Sequence, residues 1–225
     1  MALRCWMIAC LALATAQLTS AVVADDSSVK LKADIEKTAK AHAAVLEKSD
    51  KTLSLAIDKE IEVVKKAKMK AEDRVKLIDL LGKEKEAFEE VGMLPFSPRM
   101  RARTVVYLAE VQAAIRPLAK SYDKLIDHYS TAGDANAAKQ AVLDKNKAIR
   151  KVVCVVNHKG GPSYELNADG TIGDGQFTWS LDNKALVLRI GRVVDTCVVA
   201  EDGKSYSNTN NLGGHCTGDL TKSKQ

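Results

Sequence analysis

The chain contains no apolar run long enough to cross a membrane. Its longest run extends from Cys5 to about Leu18, which is shorter than the roughly 20 residues that a bilayer requires. Common catalytic motifs are also missing: the sequence has no nucleophile elbow, no HExxH, no phosphate-binding loop and no obvious pair of carboxylates. These absences argue against a membrane span and against an enzyme, so no catalytic residue is predicted.

The N-terminal apolar run has the features of a secretion signal instead. Arg4 precedes it, and the small residues Val22 and Ala24 stand at the third-last and last positions before a predicted cleavage site. We therefore expect residues 1–24 to be a signal peptide. The mature protein would begin at Asp25 and be secreted or periplasmic.

Cysteine is scarce, and cleavage of the signal would leave only Cys154, Cys197 and Cys216, in an oxidising compartment. Three cysteines allow one disulfide. A bond between Cys197 and Cys216 closes the shortest loop, but one intervening strand would separate their α-carbons by about 9.5 Å. That distance exceeds the limit of roughly 7 Å for a disulfide. If the first and last strands pair, Cys154 and Cys216 become neighbours, and we predict this bond, with Cys197 free or as the alternative partner.

Glycine and proline are scarce before residue 150, and most of the 13 glycines follow it. The first part is therefore typical of helices, while the second, enriched in Val, Thr, Ser and Asn, is typical of short strands and turns. We predict an α+β fold with a helical domain over residues 25–150 and a small β domain over residues 151–221. Residues 222–225 are predicted to be a disordered tail.

Apolar residues in the third predicted helix recur in steps of four and three, the pattern of a coiled-coil seam. The seam consists of Thr104, Leu108, Val111, Ile115, Leu118, Tyr122, Leu125 and Tyr129. A first helix, from Ser28 to about Met69, has the same spacing with smaller side chains. Short turns near Ala71 and Gly133 would place consecutive helices side by side. We predict an elongated antiparallel helical bundle or coiled coil, and a homo-oligomer through the seam is the alternative.

Eight short strand candidates follow, and several are separated by turn sequences that tolerate positive φ: ADGT, LDNK and EDGK. The candidates span residues 152–156, 164–167, 171–172, 176–181, 186–190, 195–200, 205–208 and 215–219. Alternation places Leu186, Leu188 and Ile190 on one face, and Trp179 is expected to anchor the core. We predict a small antiparallel β-meander, arranged as a sandwich or a partly closed barrel.

Two patterns are similar to metal sites but incomplete. The stretch from Glu165 to Gln176 has the spacing of a calcium loop, yet its last position is Gln, which cannot supply a bidentate carboxylate. His158 and His215 would approach one another if the first and last strands pair, but two histidines make a poor zinc site. No metal and no cofactor is therefore predicted.

Several segments together carry a resemblance to a known set of proteins. They are EKEAFEEVGMLPFSPRMRA, PLAKSYDKLIDHYSTAGDANAAKQAVLDKNKAI, WSLDNKALVL and DTCVVAEDGKSYSNTN. With the signal peptide, they resemble a functionally unassigned family of secreted bacterial proteins in which a helical stalk carries a short β domain. These motifs are structural, so the resemblance implies an architecture and no catalytic residue.

We expect an exported, non-enzymatic scaffold or binding protein. Its helical rod would present the β domain to a protein or glycan of the cell envelope. The candidate ligand contacts are Tyr164, Trp179, Tyr206, Asn208, Asn210 and Asn211. Nucleic acid is not an expected partner, because export would separate the protein from it. The alternative is a small secreted hydrolase with an unrecognised active site, which is disfavoured because no activated nucleophile is recognisable.

Overall fold

The computed structural model describes residues 26–182 and 184–222. The predicted signal peptide and the last three residues of the predicted tail lie outside the described residues. Within this part of the chain, four helices are followed by eight strands. The predicted α+β class and the order of its elements are therefore confirmed.

The helices are α1 (Asp26–Lys66), α2 (Ala71–Val91), α3 (Pro98–Thr131) and α4 (Ala135–Ile149). Local signals set their ends. Gly92 ends α2 in the left-handed conformation with φ +72°, which glycine adopts without steric cost. The Asp134 side chain accepts a hydrogen bond from the Ala137 amide and so caps α4. With a rise of 1.5 Å per residue, α1 is about 60 Å long.

Helix α1 packs against α3 in the antiparallel direction. Four polar pairs of the described residues connect the two helices: Asp34 with Ser121, Ser49 with Glu110, Asp50 with Tyr107, and Glu60 with Arg99. The apolar seam of α3, including Leu108, Val111 and Leu118, is buried within the chain. An oligomer through this seam would therefore have to displace packing that already exists, and both the oligomer and the coiled-coil geometry stay predictions.

The strands are β1 (Val152–His158), β2 (Ser163–Asn167), β3 (Thr171–Ile172), β4 (Phe177–Leu181), β5 (Leu186–Ile190), β6 (Val193–Val199), β7 (Ser205–Asn210) and β8 (His215–Thr221). Each strand pairs antiparallel with the next, and β8 pairs with β1. The antiparallel sheet is confirmed, but the prediction of a meander, sandwich or partly closed barrel is wrong because the barrel is closed. Closure pairs the N–H and C=O groups that an open sheet leaves at its edges.

Side chains fill the inside of the barrel, as expected for eight strands. Leu166, Leu186 and Leu188 are fully buried. Trp179 is also buried, and its indole Nε1 donates a hydrogen bond of 2.8 Å to the Asn167 carbonyl. The predicted role of Trp179 as a core residue is therefore confirmed.

One end of the barrel, which we call the helix-facing end, rests on the helical part. The Leu94 amide donates to the Val153 carbonyl at 3.1 Å. The buried Arg101 guanidinium of α3 donates to the carbonyls of Lys184, at 2.9 Å, and Val199, at 3.3 Å. One continuous apolar core spans both parts. The boundary near residue 150 thus marks a change from helix to strand within a shared core.

Replacing Arg101 by lysine is expected to weaken this junction. The planar guanidinium reaches two carbonyls on different elements of the barrel, whereas a lysine ammonium is a single point donor. We expect a loss of about 2 kcal/mol in the free energy of unfolding, because a buried carbonyl would lose its partner. Urea denaturation checks this, with Arg103→Lys, the same change at an exposed site of α3, as control. Equal stabilities for the two variants would contradict the role of Arg101.

Candidate functional site at the distal end of the barrel

The loops after β1, β3, β5 and β7 lie opposite the helix-facing end, at residues 159–162, 173–176, 191–192 and 211–214. The Asp174 carbonyl of loop 173–176 accepts a hydrogen bond from Arg150, which follows α4. The other three loops have no described hydrogen bond to the helical part, and we call the accessible end that they form the distal end.

Two asparagine side chains fix the backbone of loop 211–214. Asn210 Oδ1 accepts hydrogen bonds from the amides of Leu212, at 3.0 Å, and Gly214, at 2.8 Å. Asn211 pairs with the neighbouring loop: its Oδ1 accepts from the Val194 amide at 2.9 Å, and its Nδ2 donates to the Arg192 carbonyl at 3.0 Å. These bonds hold the loop in one conformation.

Leu212 lies at the tip of this fixed loop. Its exposed fraction is 71%, the largest among the exposed large apolar side chains of the described residues. The two asparagines that precede it use their side chains in the bonds just described. The loop therefore presents an apolar group on a rigid support, an arrangement suited to contact with another molecule.

Beneath the loops, the inside of the barrel changes from apolar to polar. The polar layer consists of His158, Asp195, Tyr206, Asn208 and Cys216. Register explains the grouping, since Asn208 lies directly between Cys197 and Cys216, and Gly218 lies between Tyr206 and His158. Residues opposite one another on paired strands point to the same face of a sheet, so their side chains converge inside.

Within this layer, a thiol, an imidazole and a carboxylate lie side by side in that order. Cys216 Sγ is 3.1 Å from His158 Nδ1, and Tyr206 Oη is 2.8 Å from the same nitrogen. On the other side of the ring, His158 Nε2 is 3.7 Å from Asp195 Oδ2, and the two side chains are 7% and 9% exposed. The carboxylate favours a proton on Nε2, which leaves Nδ1 as the hydrogen-bond acceptor.

Two buried polar atoms near the thiol have no hydrogen-bond partner. They are His158 Nε2, whose carboxylate neighbour is too distant for a hydrogen bond, and Asn208 Oδ1. Asn208 uses its Nδ2 to donate to Cys216 Sγ at 3.4 Å. Buried polar groups are usually satisfied, so unsatisfied atoms on both sides of the thiol distinguish this layer from ordinary core.

Burial controls the protonation of the layer. It lowers the pKa of His158, and the Asp195 carboxylate opposes this shift in part. The imidazole is therefore neutral near pH 7. Burial also raises the pKa of the Cys197 thiol to about 12 and that of the Cys154 thiol well above its usual range. These two thiols stay protonated, while Cys216 alone is paired with a base.

The predicted Cys154–Cys216 disulfide is wrong in this structure. The described residues contain three free cysteines. The first and last strands do pair, but Val155 lies opposite Thr221 and His158 opposite Gly218. In this register Cys154 and Cys216 are offset by six residues, about 20 Å along the strands. In the alternative pairing, Asn208 of β7 lies between Cys197 and Cys216, as predicted from the strand order.

Most of the predicted ligand contacts have structural positions instead. Trp179, Tyr206 and Asn208 are buried and cannot meet a ligand at the surface, so these three predictions need correction. Tyr164 is partly buried, and its ring lies 5.4 Å from the His158 ring in an edge-on contact. Asn210 and Asn211 lie at the distal end, but the Asn210 side chain binds its own loop and the Asn211 side chain binds the neighbouring one.

The grouping of Cys216, His158 and Asp195 was not predicted from the sequence. We expected His158 to lie near the start of the last strand, but paired it with His215. His215 is exposed, and Cys216 is the inward residue of the pair. A strand alternates faces with period two. Counting back from the inward Leu220 in steps of two residues leads to Gly218 and then to Cys216, which would have placed Cys216 inside the barrel.

Two kinds of feature were sought in residues 26–182 and 184–222, a cluster of metal ligands and a membrane-spanning helix. No group of three or more His, Cys, Asp or Glu side chains there is arranged to hold a metal ion. None of the helices described there combines the length and apolar character that crossing a bilayer demands.

No family model, curated protein or solved structure matches this chain. The resemblance to a family of secreted bacterial proteins therefore stays a prediction.

Proposed function

We propose that the protein is an exported, non-enzymatic scaffold whose helical part holds the barrel and whose distal end binds a protein of the cell envelope. The observation that carries this proposal is Leu212, an exposed apolar side chain on a loop fixed by Asn210 and Asn211. A fixed loop loses little conformational entropy on binding, so more of the contact energy contributes to affinity.

The attachment of the barrel supports a role in presentation. The helix-facing end is held by buried hydrogen bonds from Arg101 and by a shared apolar core. The barrel therefore has a defined orientation on the helices. Helix α1, about 60 Å long, gives the molecule the reach of a spacer.

A protein partner fits the distal end better than a glycan. Sugar rings are commonly bound on exposed aromatic faces, but Trp179 and Tyr206 are buried. The exposed group at the tip is the aliphatic Leu212, which suits an apolar pocket on a protein. A glycan partner is therefore an outcome that the experiment must distinguish.

Photo-crosslinking in cells that naturally make the protein tests this proposal. With benzoylphenylalanine at position 212, we expect a light-dependent adduct with one envelope protein. The matched control has the same probe at position 198, since Val198 is 52% exposed on the outer face of β6, and should give no adduct. Asn210→Ala in the position-212 variant should reduce the adduct several-fold, because the loop loses its support.

Three results would contradict the proposal. Equal adducts from positions 212 and 198 would show that contact is not specific to the distal end. An adduct of twice the chain mass would identify a second copy as the partner, and attachment to polysaccharide would identify a glycan.

A further inference from the structure

We propose that Cys216 is a base-assisted thiol nucleophile that undergoes thiol–disulfide exchange with low-molecular-weight disulfides at the distal end of the barrel. The proposal is independent of the Leu212 contact. It rests on the placement of Cys216 against His158 and Asp195, and on the different environments of the three thiols.

His158 is placed to accept the thiol proton. Cys216 Sγ lies 3.1 Å from Nδ1, and Asp195 lies on the Nε2 side. The thiol, the base and a carboxylate thus stand in the order used for nucleophile activation, and Asp195 acts on the imidazole through its charge because 3.7 Å is too long for a hydrogen bond. The imidazole is neutral because burial lowers its pKa. The thiol shares the Nδ1 lone pair with the Tyr206 hydroxyl, which lies 2.8 Å from the same nitrogen.

Access selects Cys216 among the three thiols. Cys154 and Cys197 are fully buried within the barrel, whereas Cys216 is partly exposed. Cys216 is also the second residue after loop 211–214 and therefore lies at the accessible end. A small disulfide can reach Cys216 but not the other two thiols without opening the barrel.

The exchange balances with no further reactant. The Cys216 proton moves to His158 Nδ1, and the thiolate attacks one sulfur of the disulfide. A new S–S bond forms as the old one breaks, and the leaving thiolate takes the proton back from His158. Cys216 is oxidised to a mixed disulfide, and the released half of the reagent is reduced to a thiol.

Among the described cysteines, none lies within reach of Cys216 to resolve the mixed disulfide. Cys197 lies two strands from Cys216, across Asn208, so the α-carbons are about 9.5 Å apart. A disulfide requires less than roughly 7 Å. The adduct should therefore persist as a covalent modification of the barrel.

The site is not arranged for turnover on a bound substrate. Two shallow depressions of the barrel lie on its outer face, one bordered by Val198, Ser207 and Thr217 and the other by Glu165 and Phe177. Neither is lined by Cys216. A small reagent that arrives by diffusion fits this geometry better than a substrate held in a cleft.

The test uses the reduced protein from Asp25 onward, the predicted mature chain, which contains only Cys154, Cys197 and Cys216. The reagent is 2,2′-dithiodipyridine, which releases a coloured thiopyridone on exchange. We expect one equivalent of thiopyridone in a fast phase and a single adduct on Cys216 by peptide mapping. Cys216→Ser should lack the fast phase, whereas Cys154→Ser should retain it. Two equivalents in the fast phase, or first labelling of Cys154 or Cys197, would overturn the proposal.

The role of His158 is tested by the pH dependence of the rate. Its titratable neighbours are Asp195 on β6, Tyr206 on β7, Cys216 on β8 and Tyr164 on β2. In the native protein the rate should reach a plateau once His158 is neutral. His158→Gln should react roughly 10²-fold more slowly near pH 6, the size of a general-base contribution, and its rate should rise with pH without a plateau.

Asp195 acts as a positioning residue, and its test differs. The carboxylate raises the pKa of His158 against the effect of burial. Asp195→Asn should therefore move the low-pH decline in rate to still lower pH, a shift that a purely structural role would not produce. Thermal melts must first show that each variant is folded. Identical rates and pH profiles for native protein and His158→Gln would refute base assistance.

Discussion

Replacing Gly218 by alanine is expected to destabilise the protein by about 3 kcal/mol or more, at or above the usual upper range for overpacking. A Cβ at this position would overlap the Asn157 carbonyl oxygen and the Tyr206 hydroxyl. The carbonyl belongs to the β1 backbone that pairs with β8 and cannot move without breaking the closure of the barrel. Urea denaturation at neutral pH under reducing conditions measures the change.

The same substitution elsewhere in the chain supplies a control of opposite sign. Gly82 is an exposed residue inside α2, and a Cβ there would have nothing within 4 Å. Gly82→Ala should stabilise the protein by about 1 kcal/mol, because alanine has the higher helix propensity. A Gly218→Ala variant within about 0.5 kcal/mol of the native protein, the range of a neutral surface change, would contradict the packing argument.

Gly218 also connects stability to the candidate site. The Tyr206 ring lies over Gly218, and its hydroxyl reaches His158. Any side chain at 218 would displace that ring and with it the hydrogen bond to the imidazole. The absence of a side chain at one position of β8 is thus what allows the polar layer to assemble.

The elements themselves were predictable from local pattern. The turns near Ala71 and Gly133 separate helices where expected, and alternation correctly placed Leu186 and Leu188 inside. These features depend on interactions a few residues apart, which spacing and turn chemistry encode directly. The change from helix to strand near residue 150 follows from the same local signals.

Closure and register were not predictable in the same way. They depend on pairing between β1 and β8, which are separated by more than 50 residues. A shift along that pair changes which residues are neighbours without changing any local pattern. The Cys154–Cys216 prediction failed for this reason: the strands meet as supposed, but Cys216 lies beyond His158 instead of beside Cys154.

The candidate site depends on the same long-range pairing. His158, Asp195 and Cys216 come from β1, β6 and β8, and no spacing in the sequence connects them. Each is an unremarkable residue within its own segment. Their chemistry arises only when the barrel turns all three side chains inward at one level.

Helix α2 contains a second feature that spacing did not reveal, the buried carboxylate of Glu84, which is 8% exposed. Its Oε1 accepts hydrogen bonds from the amides of Phe96, at 2.9 Å, and Ser97, at 2.7 Å, and its Oε2 accepts from the Ser97 hydroxyl at 2.7 Å. A Cβ on Gly203 would lie 2.7 Å from the same Oε1. Glu84 therefore joins α2, the start of α3 and the β6–β7 turn.

Replacing Glu84 by alanine should cost about 3 kcal/mol, because two buried amides would lose their acceptor. Glu84→Gln is the matched control, since its carbonyl oxygen can accept from both amides and its Nε2 can donate to the Ser97 hydroxyl. We expect the Gln variant to stay within about 1 kcal/mol of the native protein at neutral pH. Equal losses in both variants would show that volume, not hydrogen bonding, decides the effect.

The stabilities of the native protein and of Glu84→Gln should also differ in their dependence on pH. Burial raises the pKa of Glu84 in the folded protein above its usual 4.5, although its hydrogen bonds with Ser97 and Phe96 oppose the shift. The folded state then binds this proton more tightly than the unfolded state, so stability falls as pH rises from about 4.5 through the raised pKa. Glu84→Gln lacks this proton, and its stability relative to the native protein should therefore improve over the same interval. Urea denaturation of both proteins between pH 4.5 and 8 measures the difference in their free energies of unfolding. The contributions of the other titrating groups cancel in this difference. Parallel curves would show that Glu84 ionises as readily in the folded protein as in the unfolded chain.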